Sequence, residues 1–227
     1  NELFGNLKSS KFSIPPATFK NIVSAALYNS HEKDFFDRLS AIGIQAESSE
    51  KGFENGFEWT EKFIHLYKDK IDGHQSTAYH LYSDALLNFY CGRYAKAYRL
   101  LDNPLRLQGM FINLDIRLLH LIVLYELFNK RPLILENDEV EIPKVLESFR
   151  GLIRDDRKRK QQMKTNYLLL YKNFCDLYRK LYQINLKYGG MSHISKRAKD
   201  SIKKLEVQIL ESSTPFKNWL LQKVKEF

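Results

Sequence analysis

Histidine, cysteine and paired carboxylates are the side chains that most often transfer protons, attack as nucleophiles or hold metals. Here they are sparse. The six histidines (His31, His65, His74, His80, His120 and His193) form no His-Glu-x-x-His pair and no i, i+4 ligand pair. Cys91 and Cys175 lie far apart, each inside an apolar helical pattern, and read as packed, reduced thiols rather than a disulfide or zinc ligands. No Gly-rich phosphate loop and no Gly-x-Ser-x-Gly elbow occurs. Asp155-Asp156 sits in a charge run and is expected to be solvated rather than to work as an acid–base pair. These patterns point to no catalytic residues, no metal and no cofactor.

Charge is more informative. Lys and Arg number 36 against 27 Asp and Glu, a formal net charge of +9. The run Arg154-Asp155-Asp156-Arg157-Lys158-Arg159-Lys160, continued by Lys164, is expected at the start of a long helix, where positive charge opposes the helix dipole. It reads either as a solvated face or turn, or as a contact for an acidic partner, nucleic acid or an acidic protein tail. A second basic group, Lys196, Arg197, Lys199, Lys203 and Lys204, falls mainly on the outer side of its helix. Neither group has the aromatic interleaving of a single-strand stacking platform. Arg117 is the one Lys or Arg in the apolar segment Leu114 to Phe128. It reads as a structural ion pair, with Asp115 or an acid on a neighbouring helix, or as an anchor for a carboxylate in a groove.

The elements that must position these residues are helical. Gly and Pro number only 10 and 6, and the 227-residue chain is long enough to bury a core. Aromatics make up 13%, which argues against disorder. No apolar run reaches the length of a membrane span, and the first residues lack an initiating Met and a signal-peptide pattern. Asn1 is expected to begin a fragment, and the compartment is expected to be cytoplasmic.

Pro15-Pro16 is expected to open a helix from about Ala17 to Tyr28. A short amphipathic stretch follows with Phe35, Phe36, Leu39 and Ile42, then a polar loop from Ala46 to Gly52. Phe57, Phe63, Ile64 and Tyr67 predict a helix over Phe53 to Ile71, closed by Gly73. Tyr79, Tyr82, Leu86 and Phe89 share one face of the next helix, with Leu81, Ala85 and Asn88 on a second. Gly92 breaks it, Tyr94 to Leu101 starts another, and Pro104 ends that one. Asn113 is placed as the N-cap of an apolar helix from Leu114 to Phe128, the expected centre of the core.

Lys130 to Pro143 is expected to be a loop, and Lys144 to Asp155 a helix. A long helix from about Lys158 to Leu186 carries a stripe of Tyr167, Tyr171, Phe174, Tyr178, Leu181 and Asn185. Gly189-Gly190 stops it. Ala198, Ile202, Leu205 and Ile209 stripe the following helix. Thr214-Pro215 is expected to cap a last helix with Trp219 and Leu220 packed back on that stripe. Roughly ten helices with short connections imply antiparallel pairs.

The segment from Ala85 to Leu101 resembles a tetratricopeptide repeat. Ala85 and Ala97 match the small residues where the paired helices cross, Gly92 the turn, Tyr94 the aromatic that opens the second helix, and Leu101 the large apolar residue. Asn88 departs from the pattern, standing where the family usually has an aromatic, and Pro104 shortens the second helix. A weaker echo runs from Leu118 to Phe128, offset by about 35 residues, close to the repeat period of ~34. The resemblance implies an all-α chain of antiparallel helix pairs stacked as a right-handed α-solenoid, with a long helix and a C-terminal capping helix. It further implies that Tyr79, Tyr82 and Phe89 line the concave, peptide-binding side. The segments Leu146 to Arg150 and Trp219 to Val224 are similar in texture to the C-terminal part of helical-repeat proteins of Bacteroidetes, which implies a bacterial source.

The chain is thus parsed as a tail over 1–14, degenerate repeats over 15–130, a loop over 131–143 and C-terminal helices of the same array over 144–227. The expected role is a non-enzymatic protein interaction or scaffolding module whose partner is a protein or peptide and not a membrane. The alternative is a nucleic-acid-binding helical repeat using the basic clusters.

Overall fold

The computed structural model describes residues 13–30, 56–73, 76–102, 110–130, 138–159, 165–191 and 193–227. The expected amphipathic stretch at Phe35 to Ile42, the polar loop at Ala46 to Gly52 and Pro104 lie outside them. Among the described residues the fold is all-α, and the chain divides into two compact units that meet at Lys130 and Arg131 in the sequence.

The first unit begins with α1 (Pro16–Tyr28), opened by a proline whose missing N–H costs nothing in the first turn. Phe19, Val23, Ala26 and Leu27 form its buried stripe. Helix α2 (Gly56–Tyr67) buries Trp59, Phe63 and Tyr67, one turn apart from each other. The Trp59 ring stacks on Phe63 at 5.2 Å, and Phe63 stacks on Phe19 of α1 at 5.4 Å. The α-helix stops at Tyr67, short of the Ile71 expected from the sequence. A 3-10 turn over Lys68–Lys70 follows, and Ile71 pairs in a parallel bridge with Ile14. Ile14 N–H donates to Lys70 O at 2.7 Å, and Asp72 N–H donates to Ile14 O at 3.0 Å.

Helix α3 (Ser76–Tyr90) packs against α1, α2, α4 (Tyr94–Leu101) and α5 (Met110–Lys130). It is therefore buried along most of its length, from Tyr82 and Ser83 through Ala85 to Phe89. Its C-terminus is a Schellman motif. Gly92 N–H donates to Phe89 O at 2.9 Å and Arg93 N–H to Asn88 O at 2.8 Å, with Gly92 at φ +70°. The turn reverses the chain so that Ala85 and Ala97, both fully buried, face the α3–α4 packing.

Helix α5 starts earlier than expected. Asn113 lies inside it and is not its cap, because the apolar run already begins at Met110 and Ile112 is buried. The helix is buried almost all round, as its composition implies, and within this unit it packs on α3 and α4. The element that touches most of its neighbours here is α3.

In the second unit, α6 (Asp138–Arg159) packs on α7 (Thr165–Tyr188) through Ile142, Leu146, Phe149 and Ile153. The loop expected over 131–143 is already helical from Asp138, and Pro143 sits within the helix. Burial of Ile142 and Leu146 on either side of Pro143 holds the turn. Helix α7 carries the expected Tyr171, Phe174, Tyr178 and Leu181 in its core, while Tyr167 and Asn185 are half-exposed. The stripe is wider than a single seam, with Leu168, Cys175, Leu177 and Tyr182 also buried. The reason is that α7 packs against α6, against α8 (Lys196–Glu211) and against α9 (Lys217–Lys225).

Ser195 caps α8, its Oγ accepting from Ala198 N–H at 3.3 Å. Thr214-Pro215 does not cap α9. The capping residue is Phe216, held at φ +51° with no side-chain cap, and Pro215 lies in the turn before it. Trp219 stacks on Tyr178 of α7 at 6.3 Å, and Leu220 is fully buried.

Candidate functional site

The residues singled out in the sequence fall in different settings. On α3, Tyr82 and Phe89 are core side chains and Tyr79 is half-exposed. The Phe89 ring lies 5.8 Å from Tyr94 of α4, so it helps join the repeat-like hairpin. Arg117 on α5 is half-buried. Asp115, two residues away, points to another side of the helix, where Lys20 Nζ of α1 holds it at 2.6 Å.

The basic run belongs to a different helix than expected. Arg154, Arg157, Lys158 and Arg159 fall in the C-terminal part of α6, and the long helix α7 begins only at Thr165. The dipole argument therefore changes sign: at a helix C-terminus positive charge is stabilising, by about 0.3–1 kcal/mol per charge near the surface. Lys160 and Lys164 lie outside the described residues. Earlier in α6, Arg150 Nη1 bonds Glu147 Oε1 at 3.1 Å and Arg179 of α7 reaches the same carboxylate, so these basic side chains are absorbed in pairing the two helices.

Burial disfavours the thiolate at both cysteines. Burial pushes the Cys175 thiol up to about 12, with Asp176 reinforcing it, and burial also raises Cys91 against the opposing pull of Arg93. Both cysteines are free. His80 pairs with Asp84 at 3.2 Å along α3, and the His120 ring lies 5.4 Å from Tyr98. Among the described residues no three His, Cys, Asp or Glu side chains gather as a metal site would require, and no helix is long and apolar enough to cross a membrane.

Among the described residues, one cleft lies between the C-terminal half of α7 and the middle of α8. It is an open cleft of about 410 Å³ with Leu205 and Ile184 in its floor and Lys180, Lys187 and Lys204 in its walls. Lys180 Nζ donates to Gln208 Oε1 at 2.8 Å and ties one wall to the other. Lys187 sits 5.3 Å from the centre of the Tyr188 ring. Among the described residues none of the three lysines has a carboxylate partner, and no carboxylate lines the cleft. The sequence drew attention to Lys204 through the second basic group, but gave Lys180 and Lys187 no place. Their seven-residue spacing on α7 was the available signal, since it puts both on one face two turns apart.

No family model matches this chain, and no curated protein or solved structure does either.

Proposed function

We propose that this chain is a non-enzymatic protein interaction module built from helical hairpins. The observation that carries the reading is the open α7–α8 cleft. Its lining combines apolar, amide and cationic groups and lacks the His, Cys, Asp and Glu side chains that acid–base or nucleophilic chemistry draws on. The protonated state favoured for both thiols agrees with a binding role.

The kinship to tetratricopeptide repeats belongs to the same proposal. It is supported by the buried Ala85 and Ala97 on facing helices, the Gly92 turn and the Phe89–Tyr94 contact. Right-handed stacking of such pairs, and a cytoplasmic bacterial setting, go with it. The test is selection of a random peptide library on the immobilised, folded protein. Peptides enriched to micromolar affinity or better support the reading. A library that yields no binder counts against it.

One observation favours a second reading. Lys196, Arg197, Lys199, Lys203 and Lys204 are all exposed on α8, which gives a nucleic acid a charged surface. The expected affinity is the weak 10⁻⁴ to 10⁻⁶ M of non-specific charge, roughly, at physiological salt. Binding on the order of 10⁻⁸ M to DNA or RNA, lost when Lys196, Arg197, Lys199, Lys203 and Lys204 become Ala, would promote this reading.

A further inference from the structure

We infer that the α7–α8 cleft takes an acidic amphipathic helix from a partner protein, with apolar side chains on its floor and carboxylates against its lysines. The inference rests on the protein-binding reading above and names its partner chemistry.

Charge complementarity sets the sign of the ligand. Lys180, Lys187 and Lys204 line one cleft, and among the described residues none of them is ion-paired with a carboxylate. Cations placed together repel, and a ligand bearing carboxylates relieves that repulsion as it binds. Lysine offers compact point charges rather than the bidentate fork that favours phosphate, so carboxylates spread along a chain suit it well.

The floor makes the ligand amphipathic. The apolar residues of the lining are the half-buried Ile184 and, deeper, the buried Leu205, alongside the three lysines. An apolar side chain laid there gains about 25 cal/mol for each Å² removed from water, while its acidic neighbours reach the rim. Spacing makes the ligand helical. Lys180 and Lys187 are separated by two turns, a rise of about 10.5 Å along α7. A helix lying along α7 presents carboxylates at i and i+7 with the same separation, and apolar residues at i+3 and i+4 between them.

A single-stranded nucleic acid meets fewer of these features. Tyr188 is the one aromatic ring in the lining, and Lys187 already lies against it, so no stacking platform is present.

The experiment uses the full 227-residue chain and a displayed library of random 16-residue peptides, roughly four and a half helical turns. Enriched peptides are expected to be net acidic and amphipathic at helical spacing. Their affinity should fall at least tenfold for the Lys187→Glu, Lys204→Glu double variant, whose positions are exposed and whose helicity by circular dichroism should match wild type. A parallel Lys187→Ala, Lys204→Ala variant should lose less, and glutamine-for-glutamate peptides should bind weakly to all forms. Enriched peptides that are neutral or basic, or that bind the double variants as well as wild type, overturn the inference and leave the interaction module standing. So does a 20-nucleotide single strand that binds more tightly than any peptide through the same lysines. A library with no binder at all overturns both.

Discussion

Replacing Trp219 by alanine tests how the C-terminal helix is held. Trp219 is only 8% exposed and stacks on Tyr178, which is fully buried in α7. Helix α9 packs on both α7 and α8, so the indole closes a three-helix contact. Deleting a buried aromatic side chain costs about 3–5 kcal/mol. Trp219 keeps an exposed edge and sits on a short terminal helix that can settle inward, so about 3 kcal/mol is expected. At about 2–4 °C per kcal/mol for a chain of this size, the melting midpoint should fall by about 6–12 °C. Trp219→Phe, which keeps a ring against Tyr178, should lose less than half of that. Urea unfolding followed by circular dichroism gives the free energy. The chain has two tryptophans, and the other, Trp59, lies in the first unit. Emission from the alanine variant therefore reports the first unit alone, while circular dichroism reports both. A loss below about 1 kcal/mol would refute the packing argument and make Trp219 a surface residue free to meet a partner.

Other outcomes follow from the same packing. Ala97→Leu should overfill the α3–α4 crossing and cost about 1–3 kcal/mol in urea unfolding, and a neutral result would remove the close approach of the two helices. Gly92→Ala forces a β-carbon into a left-handed backbone and should cost about 1–2 kcal/mol; nothing within 4 Å opposes that carbon, so a larger loss would have another cause. Alkali should also unfold the protein. Burial raises Tyr67 from 10.0 to about 12 and Cys175 from 9.0 to about 12. The folded state thus keeps protons that the unfolded chain releases, so stability is full below about pH 9 and declines toward about pH 12. Denaturant midpoints between pH 7 and 11.5 check this, and Cys175→Ala should flatten the decline between pH 9 and 10. An unchanged decline in that variant would exclude the thiol as a source.

Helical periodicity made the elements legible, and tertiary partners decided what it left open. The stripe of Tyr171, Phe174, Tyr178 and Leu181 could be read directly because each step is a turn. The width of the buried surface on α7 could not, since it depends on α6, α8 and α9 lying on different sides of one helix. Boundaries slipped where a local signal met a stronger non-local one. Pro143 looked like a stop but is overridden by buried Ile142 and Leu146, and Asn113 looked like a cap but lies inside a longer apolar run. Trp59 is the largest fully buried side chain of α2, whereas Phe57, a member of the expected apolar stripe, is half-exposed. For the candidate site, net charge was visible but convergence was not. Lys180 and Lys187 meet Lys204 only because α7 and α8 pack together.

The bridge between Ile14 and Ile71 makes α1 and α2 a closed circuit. Its two backbone hydrogen bonds tie Ile14, two residues before α1, to Lys70 and Asp72 on either side of Ile71, at the end of the turn that follows α2. A chain tugged from the side of Ile14 loads those bonds before it can unwind Phe19 and Val23 from the core. The Ile14 and Asp72 amide protons are engaged in that clasp, so both exchange with solvent only when it opens. The clasp therefore serves as a latch: while its two hydrogen bonds hold, a pull on Ile14 is carried to the end of α2 before it reaches the stacked rings of Phe19, Phe63 and Trp59.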